Sequence, residues 1–378
     1  MHVLVTTDTV GGVWSYTREL VTGLTQRGIR VTLVSFGKIP RAAQTQWLEC
    51  LRDVDFRSTA FRLEWMQDAA GDIAESKEYL REIIGEVKPE LLHLNQYCYG
   101  AIETTVPRVV VAHSDVVSWA AAVHGAEPEA GEWIEWYRRV LVEGLSGADR
   151  VVAPSNAMLA NVRRYFGVQH VRVIYNGRTP ALFDSQARKQ NAVLSVGRVW
   201  DEAKNTALLL DAKPDLPVWI AGASANPDGG DSAELRSAGN VEFKGELSEP
   251  ELRQLYARAG IYAATSQYEP FGLAALEAAL SRCAIVANDI PTFHELWGDS
   301  IVYFRRNDAG SLRKVLQELA TNQHALKRYA QLAYDRARRI FTADRMVDEY
   351  VDLYSCLVAQ NRTASHRARV EGGAELVS

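Results

Sequence analysis

Apolar and polar positions alternate along this chain with two periods. Residues 3–6 form a short apolar run and 7–13 a glycine-containing loop; residues 14–26 then place apolar side chains at helical spacing before Gly28 and a second apolar run at 31–34. Short runs bounded by turn residues read as buried strands, and strand, helix, strand in succession makes a β-α-β unit with parallel strands. The unit recurs. A helix is expected at 75–87, broken at Pro89, then strands at Leu91–Leu94 and 109–112, a strand running into a loop over 149–155, a helix at Asn156–Phe166 and a strand at 171–174. Trp133, Trp136, Tyr137, Val140 and Leu141 fall at i, i+3, i+4, i+7 and i+8, which is a buried helix face.

The pattern lapses at residues 179–191, a polar stretch with Pro180 that reads as a linker, and then restarts. Strands are expected at 192–196, Val218–Ala221, 241–243 and 261–265, a helix at 249–259, a helix opening at Pro270, and a strand at 284–287 followed by a closing loop at 288–291. The fold class is therefore α/β: two doubly wound domains, 1–178 and 192–345, facing each other. Residues 346–360 are expected to hold a terminal amphipathic helix packing back on the first domain, its core at 349–359, and 361–378 a frayed polar tail.

Composition narrows the classes. Of 378 residues 47% are hydrophobic and 24% charged, with a net charge of −5, so the chain carries no basic footprint for nucleic acid. Cys50, Cys98, Cys283 and Cys356 lack metal-ligand spacing and read as free, buried thiols in a reducing compartment. The start of the chain lacks signal-peptide character and no apolar run approaches membrane-spanning length, so a cytosolic protein is expected, with at most peripheral membrane contact through Lys38 and Arg41. Asp53 and Asp55 form a DxD, but in a turn rather than beside a nucleotide loop. Metal binding there is not expected.

Candidate chemistry sits at strand ends, where open parallel sheets bind ligands. The Gly11-Gly12 loop is no dinucleotide fingerprint, since no acid follows the second strand; it serves either a tight turn or close approach to a ligand. Asn95 and Gln96 follow one strand and His113 another; each reads either as a ligand contact or as an ordinary loop or core-edge residue. Arg198 and Lys204 share one loop, either as surface ion pairs or as anion ligands. In the stretch 266–280, Glu269 and Pro270 are expected to cap and open a helix whose first turn, Phe271, Gly272 and Leu273, leaves N–H groups open to an anion. Glu277 lies about 12 Å farther along the axis, too far from Glu269 to share one small group but suited to the two ends of a long ligand.

Glu269-Pro270-Phe271-Gly272-Leu273 followed by Glu277 resembles the EX7E motif of retaining glycosyltransferases of the GT-B fold, family 4 in particular. The Gly11-Gly12 loop, Asn176-Gly177, Gly197-Arg198 with Lys204, and residues 285–289 resemble that family's other stations in order, across nearly the whole chain. The resemblance implies an acceptor domain at 1–178 and a nucleotide-sugar domain at 192–345. It further implies that Arg198 and Lys204 grip the donor diphosphate, Glu277 the ribose and Glu269 the donor sugar, with Gly12, Phe271, Gly272 and Leu273 around the donor and His113 beside the reacting centre. Gly11, Asn95 and Gln96 are the expected acceptor contacts. No metal and no separate cofactor are expected, and the partners are a nucleotide-sugar, UDP-linked in the first instance, and a glycan, glycolipid or small-molecule acceptor. Two departures from the family pattern stand out: Arg178-Thr179 where an acid often follows Asn-Gly, and Asn205 where a glycine often follows the lysine. A sugar-nucleotide epimerase and a non-catalytic sugar-nucleotide-binding protein are the alternatives. Donor base, sugar, acceptor, linkage and oligomeric state have no signature in the sequence.

Overall fold

The computed structural model describes residues 1–225 and 239–374, with side chains described to residue 364. Its first sheet comprises β1 (His2–Asp8), β2 (Arg30–Phe36), β3 (Val54–Ser58), β4 (Leu91–Leu94), β5 (Arg108–Val111), β6 (Arg150–Ala153) and β7 (Val171–Val173), in the order β3-β2-β1-β4-β5-β6-β7. The second comprises β8 (Gln190–Val196), β9 (Val218–Ala221), β10 (Val241–Gly245), β11 (Ala259–Ala264), β12 (Ala284–Asn288) and β13 (Val302–Phe304), in the order β10-β9-β8-β11-β12-β13. All pairings are parallel. Central strands such as β1, β4 and β12 are buried along nearly their whole length, because helices cover both faces of each sheet.

Strand order reverses between β1 and β4 in one sheet and between β8 and β11 in the other. At such a switch point the loops after neighbouring strands diverge and leave a crevice at the strands' carboxyl ends. The two crevices face each other, so the residues after β1, β4 and β5 look across a cleft at those after β8 and β11.

Two chain segments connect the domains and run side by side. Arg178 N–H donates to Phe341 O at 3.0 Å and Ala343 N–H to Arg178 O at 3.1 Å, a parallel bridge between Arg178 and Thr342. Gly177 is required there, since a Cβ would lie 2.1 Å from Thr342 O. The chain then enters the helix Ala343–Ala374, whose Met346, Val347, Tyr350, Tyr354 and Leu357 complete a core with Val3, Val5, Leu20 and Leu24.

Several elements depart from expectation. β3 is a polar edge strand, VDFRS, with no apolar run to betray it. The second sheet does not close at residues 288–291: Pro291 opens the helix Pro291–Trp297, and three-residue β13 follows. The terminal helix begins at Ala343 and continues through the polar segment expected to fray, as far as Ala374. Cys50 and Cys356 are exposed, not buried. Trp133 and Tyr137 do stack in the core, with ring centroids 5.5 Å apart. Among the described residues no helix is long and apolar enough to cross a membrane.

Candidate functional site

The cleft between the sheets encloses about 1370 Å³. On the second domain's side the turn after β11 is tied to the loop after β8. Thr265 Oγ1 donates to Lys204 O at 2.8 Å, and Gln267 N–H to Ala203 O at 2.8 Å. This brings Lys204 Nζ to 2.7 Å from Glu269 Oε2, which also accepts from Ser266 Oγ at 3.1 Å. Asn205, standing where the resembled family often has glycine, takes φ +50°, a left-handed conformation that asparagine tolerates better than most residues. The departure therefore leaves the loop's shape intact.

The helix after Glu269 starts later than its Pro270 suggests. Gly272 has φ +90°, which is not helical, so the helix is Leu273–Leu280 and Gly272 is its N-cap. A Cβ on Gly272 would also come within 3.1 Å of Glu269 Cγ. Pro270 instead offers its carbonyl to Ser155 Oγ of the first domain at 2.6 Å. The Phe271 ring is buried edge-on against Phe341, so only its backbone is available to a ligand. The new helix has no side-chain cap and no acid in its first turn, which leaves its N–H groups unsatisfied and its positive end bare. The helix Gly12–Gln26 of the first domain shares both properties, and its N-cap Gly11 has φ +77°. The two helix starts meet: a Cβ on Gly12 would sit 3.5 Å from Leu273 Cδ1, and one on Gly11 3.5 Å from an Arg198 guanidinium nitrogen. Arg198 lies over the Trp200 ring and pairs with Asp201 at 2.6 Å. Two bare helix N-termini, Arg198 and Lys204 thus converge on one volume.

Glu277, just over one turn down its helix, stands 3.0 Å from Nε of Arg178, an ion-pair contact without hydrogen-bond alignment. The Glu277 carboxylate therefore keeps lone pairs for a ligand. Arg178, 1% exposed, also pairs with Glu19 and Glu249, each at 2.8 Å. The residue that departs from the family pattern is the centre of an ion network spanning both domains.

On the first domain's side, Asn95 Nδ2 donates to Thr6 O at 2.6 Å, which turns its Oδ1 toward His113 Nε2 at 2.7 Å. His113 Nε2 must then carry the proton, and Nδ1 is left as an acceptor. Burial pushes the His113 imidazole down to about 3, so it is neutral near pH 7 and suited to accept from a hydroxyl, not to donate to a phosphate. Asn95, with both amide atoms engaged, orients His113. Gln96 is 2% exposed and neither amide atom has a partner among the described residues, although it lines the cleft. The exposed Arg41 guanidinium reaches across to Glu246 at 3.2 Å. Asp55 of the DxD is held by Arg57 at 2.9 Å, outside the cleft.

Two carboxyls beside Gln96 were not singled out from the sequence. Asp8 ends β1, and that position is itself a signal. Glu64, which accepts from Tyr97 N–H at 3.0 Å, comes from a loop with no pattern. Burial pushes Asp8 up to about 7, with Glu64 adding to the effect. The folded carboxyl thus keeps its proton up to about pH 7 while the unfolded one releases it near 3.8, so this group's contribution to stability falls as pH rises between those values. Asp8→Asn keeps the acceptor for Val10 N–H and removes that loss. The variant should gain on the order of 1–3 kcal/mol at pH 8 and much less at pH 4.5. An equal change in melting temperature at both pH values would contradict the assignment.

Comparison with known proteins agrees with this geometry. Residues 10–181 match the family model described as Glycosyltransferase Family 4, and residues 180–336 match Glycosyl transferases group 1. The chain is 24% identical over 376 residues to the O-antigen chain mannosyltransferase C of Escherichia coli, covering 93% of this chain and 96% of that one. It is 25% identical to an alpha-maltose-1-phosphate synthase of Mycolicibacterium smegmatis over 69% of this chain and 75% of the other. Among solved structures, sucrose-phosphate synthase from Thermosynechococcus elongatus superposes with a TM-score of 0.75 at 18% identity, covering 95% and 100% of the two chains. HepE of Anabaena in complex with UDP-glucose superposes at 0.71, with 18% identity and 94% and 100% coverage. Two family models in succession over both domains, on a matching fold, make the chain a GT-B glycosyltransferase of the family 4 type.

Proposed function

We propose that this transferase moves a hexose from a nucleotide-diphosphate sugar, UDP-linked in the first instance, to a hydroxyl acceptor with retention of anomeric configuration. The observation that carries the reading is the meeting of Arg198, Lys204 and two uncapped helix N-termini between Glu269 and Glu277. A diphosphate placed there receives charge stabilisation from the protein's own groups, so the reaction does not require a metal. Glu277 would then reach the ribose and Glu269 the sugar. In the transfer the bond from C1 to the diphosphate oxygen breaks with its electron pair going to that oxygen. The acceptor oxygen bonds to C1, and its proton leaves with the diphosphate. Glu269 is ion-paired to Lys204 and bonded to Ser266, which suits a positioning carboxylate and not a free nucleophile. His113 Nδ1 is available to a sugar hydroxyl. The relatives' names include O-antigen mannosyl transfer, and polysaccharide or glycolipid synthesis in the cytosol is the corresponding setting for this chain.

Calorimetry with UDP tests the donor site. Arg198→Ala and Glu277→Ala should each weaken binding by about 10- to 100-fold, the worth of one charge-assisted contact of 1.5–3 kcal/mol. Unchanged affinity in both would sink the assignment.

A further inference from the structure

Opposite the donor groups, the cleft holds Gln96, an expected acceptor contact, together with two carboxyls that the transfer reading does not use. Asp8 is 8% exposed and Glu64 4%; both line the cleft, burial disfavours charge on each, and Glu64 adds to that effect on Asp8. Glu64 is bonded to Tyr97 N–H, so its neighbour Gln96 is fixed at the same place. Gln96 has two N–H donors and a carbonyl acceptor, all buried and none matched among the described residues. Leaving a buried polar group unpaired costs about 1–3 kcal/mol, so a carboxamide facing a ligand cleft in this state is built for a partner that arrives with the ligand.

The chemistry of that partner follows from the three groups. A carboxyl accepts hydrogen bonds and, while protonated, also donates one, and a carboxamide both accepts and donates, as a sugar hydroxyl does. A phosphate only accepts, and as a dianion it would enter a corner where burial already disfavours the charged forms of Asp8 and Glu64. The cation acting on Asp8 is Arg198, which the transfer reading already commits to the donor diphosphate. Lys38 and Arg41 stand exposed on the loop at the cleft's edge, and Arg41 is paired with Glu246. Trp65, half-buried beside Glu64, adds an aromatic surface of the kind on which a sugar's C–H face rests. We propose that Asp8, Glu64 and Gln96 form an acceptor subsite that takes an uncharged, polyhydroxylated sugar ring and disfavours a phosphorylated one. The inference rests on the transfer reading for its meaning but not for its measurement, since binding is observed without turnover.

Saturation-transfer NMR in the presence of UDP provides the test, with methyl α-mannopyranoside, maltose and mannose 6-phosphate as probes. At least one neutral glycoside should bind, with mannose 6-phosphate at least about tenfold weaker. Gln96→Ala and Glu64→Gln should each weaken the neutral glycoside at least about fivefold, the lower end of an unmade buried hydrogen bond, while UDP affinity measured by calorimetry stays within about twofold. Gln96→Glu keeps the side chain's size, removes its donors and serves as the second variant where the alanine form does not fold. Tighter binding of mannose 6-phosphate, no binding of either glycoside, or unchanged glycoside affinity in the folded variants would overturn the subsite. Failure of the wild-type protein to bind UDP would instead count against the donor reading, and the glycoside comparison would still decide the acceptor class.

Discussion

Lys204→Ala should lower the rate of sugar transfer by about 10²–10³-fold, the scale observed when one preorganised group facing developing charge is removed. Two losses add in this variant. The ammonium lies 2.7 Å from Glu269 and points into the volume shared by the two helix N-termini, so its removal takes away a cation from the departing diphosphate. It also leaves the Glu269 carboxylate, 14% exposed, with Ser266 as its one remaining hydrogen-bond partner among the described residues. An uncompensated carboxylate beside the diphosphate repels the group that Lys204 would have held. The effect should therefore be non-additive: Glu269→Gln in the Lys204→Ala background should cost less than Glu269→Gln alone. Single-turnover transfer with a nucleotide-sugar at saturating acceptor is the measurement. A fall of less than about threefold for Lys204→Ala, or strict additivity in the pair, would remove Lys204 from the diphosphate site.

The groups in that argument differ in how legible they were. Glu269, Arg198 and Lys204 lie in two loops after strands and Glu277 on the helix that follows one of them, and a strand, loop, helix pattern locates strand ends from sequence. Their convergence was not legible from spacing alone, because it depends on β8 and β11 being neighbours in the sheet although β9 and β10 lie between them in the chain. The helix start was misplaced by three residues for a local reason. Pro270 is an acceptable first helical residue, but Gly272 at φ +90° resets the backbone after it. β3 and β13 escaped because an edge strand of polar residues and a three-residue strand carry almost no periodic signal. On the acceptor side, Asn95 was expected to touch substrate and is instead consumed in fixing the His113 tautomer, a role visible only once Thr6 is placed beside it. Glu64 and Gln96 come together through hydrogen bonds that Tyr97 N–H and Cys98 Sγ donate to Glu64, from 33 and 34 residues away in sequence. Arg178 was noticed only as a departure from a pattern.

That departure carries the second large expected effect: Arg178→Met should destabilise the protein by about 3–5 kcal/mol, the cost of removing one partner from a buried ion network. Arg178 is 1% exposed and holds Glu19 of the first domain, Glu249 and Glu277 of the second. Arg18 and Arg253 also pair with Glu249, so three cations balance three carboxylates. Removing the central guanidinium leaves Glu19, 4% exposed and so closed to bulk solvent, with Thr179 Oγ1 at 2.6 Å as its one remaining side-chain hydrogen-bond partner among the described residues. Arg178→Lys should not rescue, because a single ammonium nitrogen cannot reproduce the rigid fork that donates to Glu19 and Glu249 from two separate nitrogens while a third faces Glu277. The loss falls on the segment where the two domain connections run side by side, bridged through Arg178's own backbone to Phe341 and Ala343. Domain docking should therefore weaken along with global stability. Thermal unfolding should show a fall on the order of 10 °C in both variants, and small-angle scattering a larger radius of gyration at temperatures well below the transition. If Arg178→Lys unfolds with the wild-type protein, the network is held by charge alone, and the directional account of Arg178 fails.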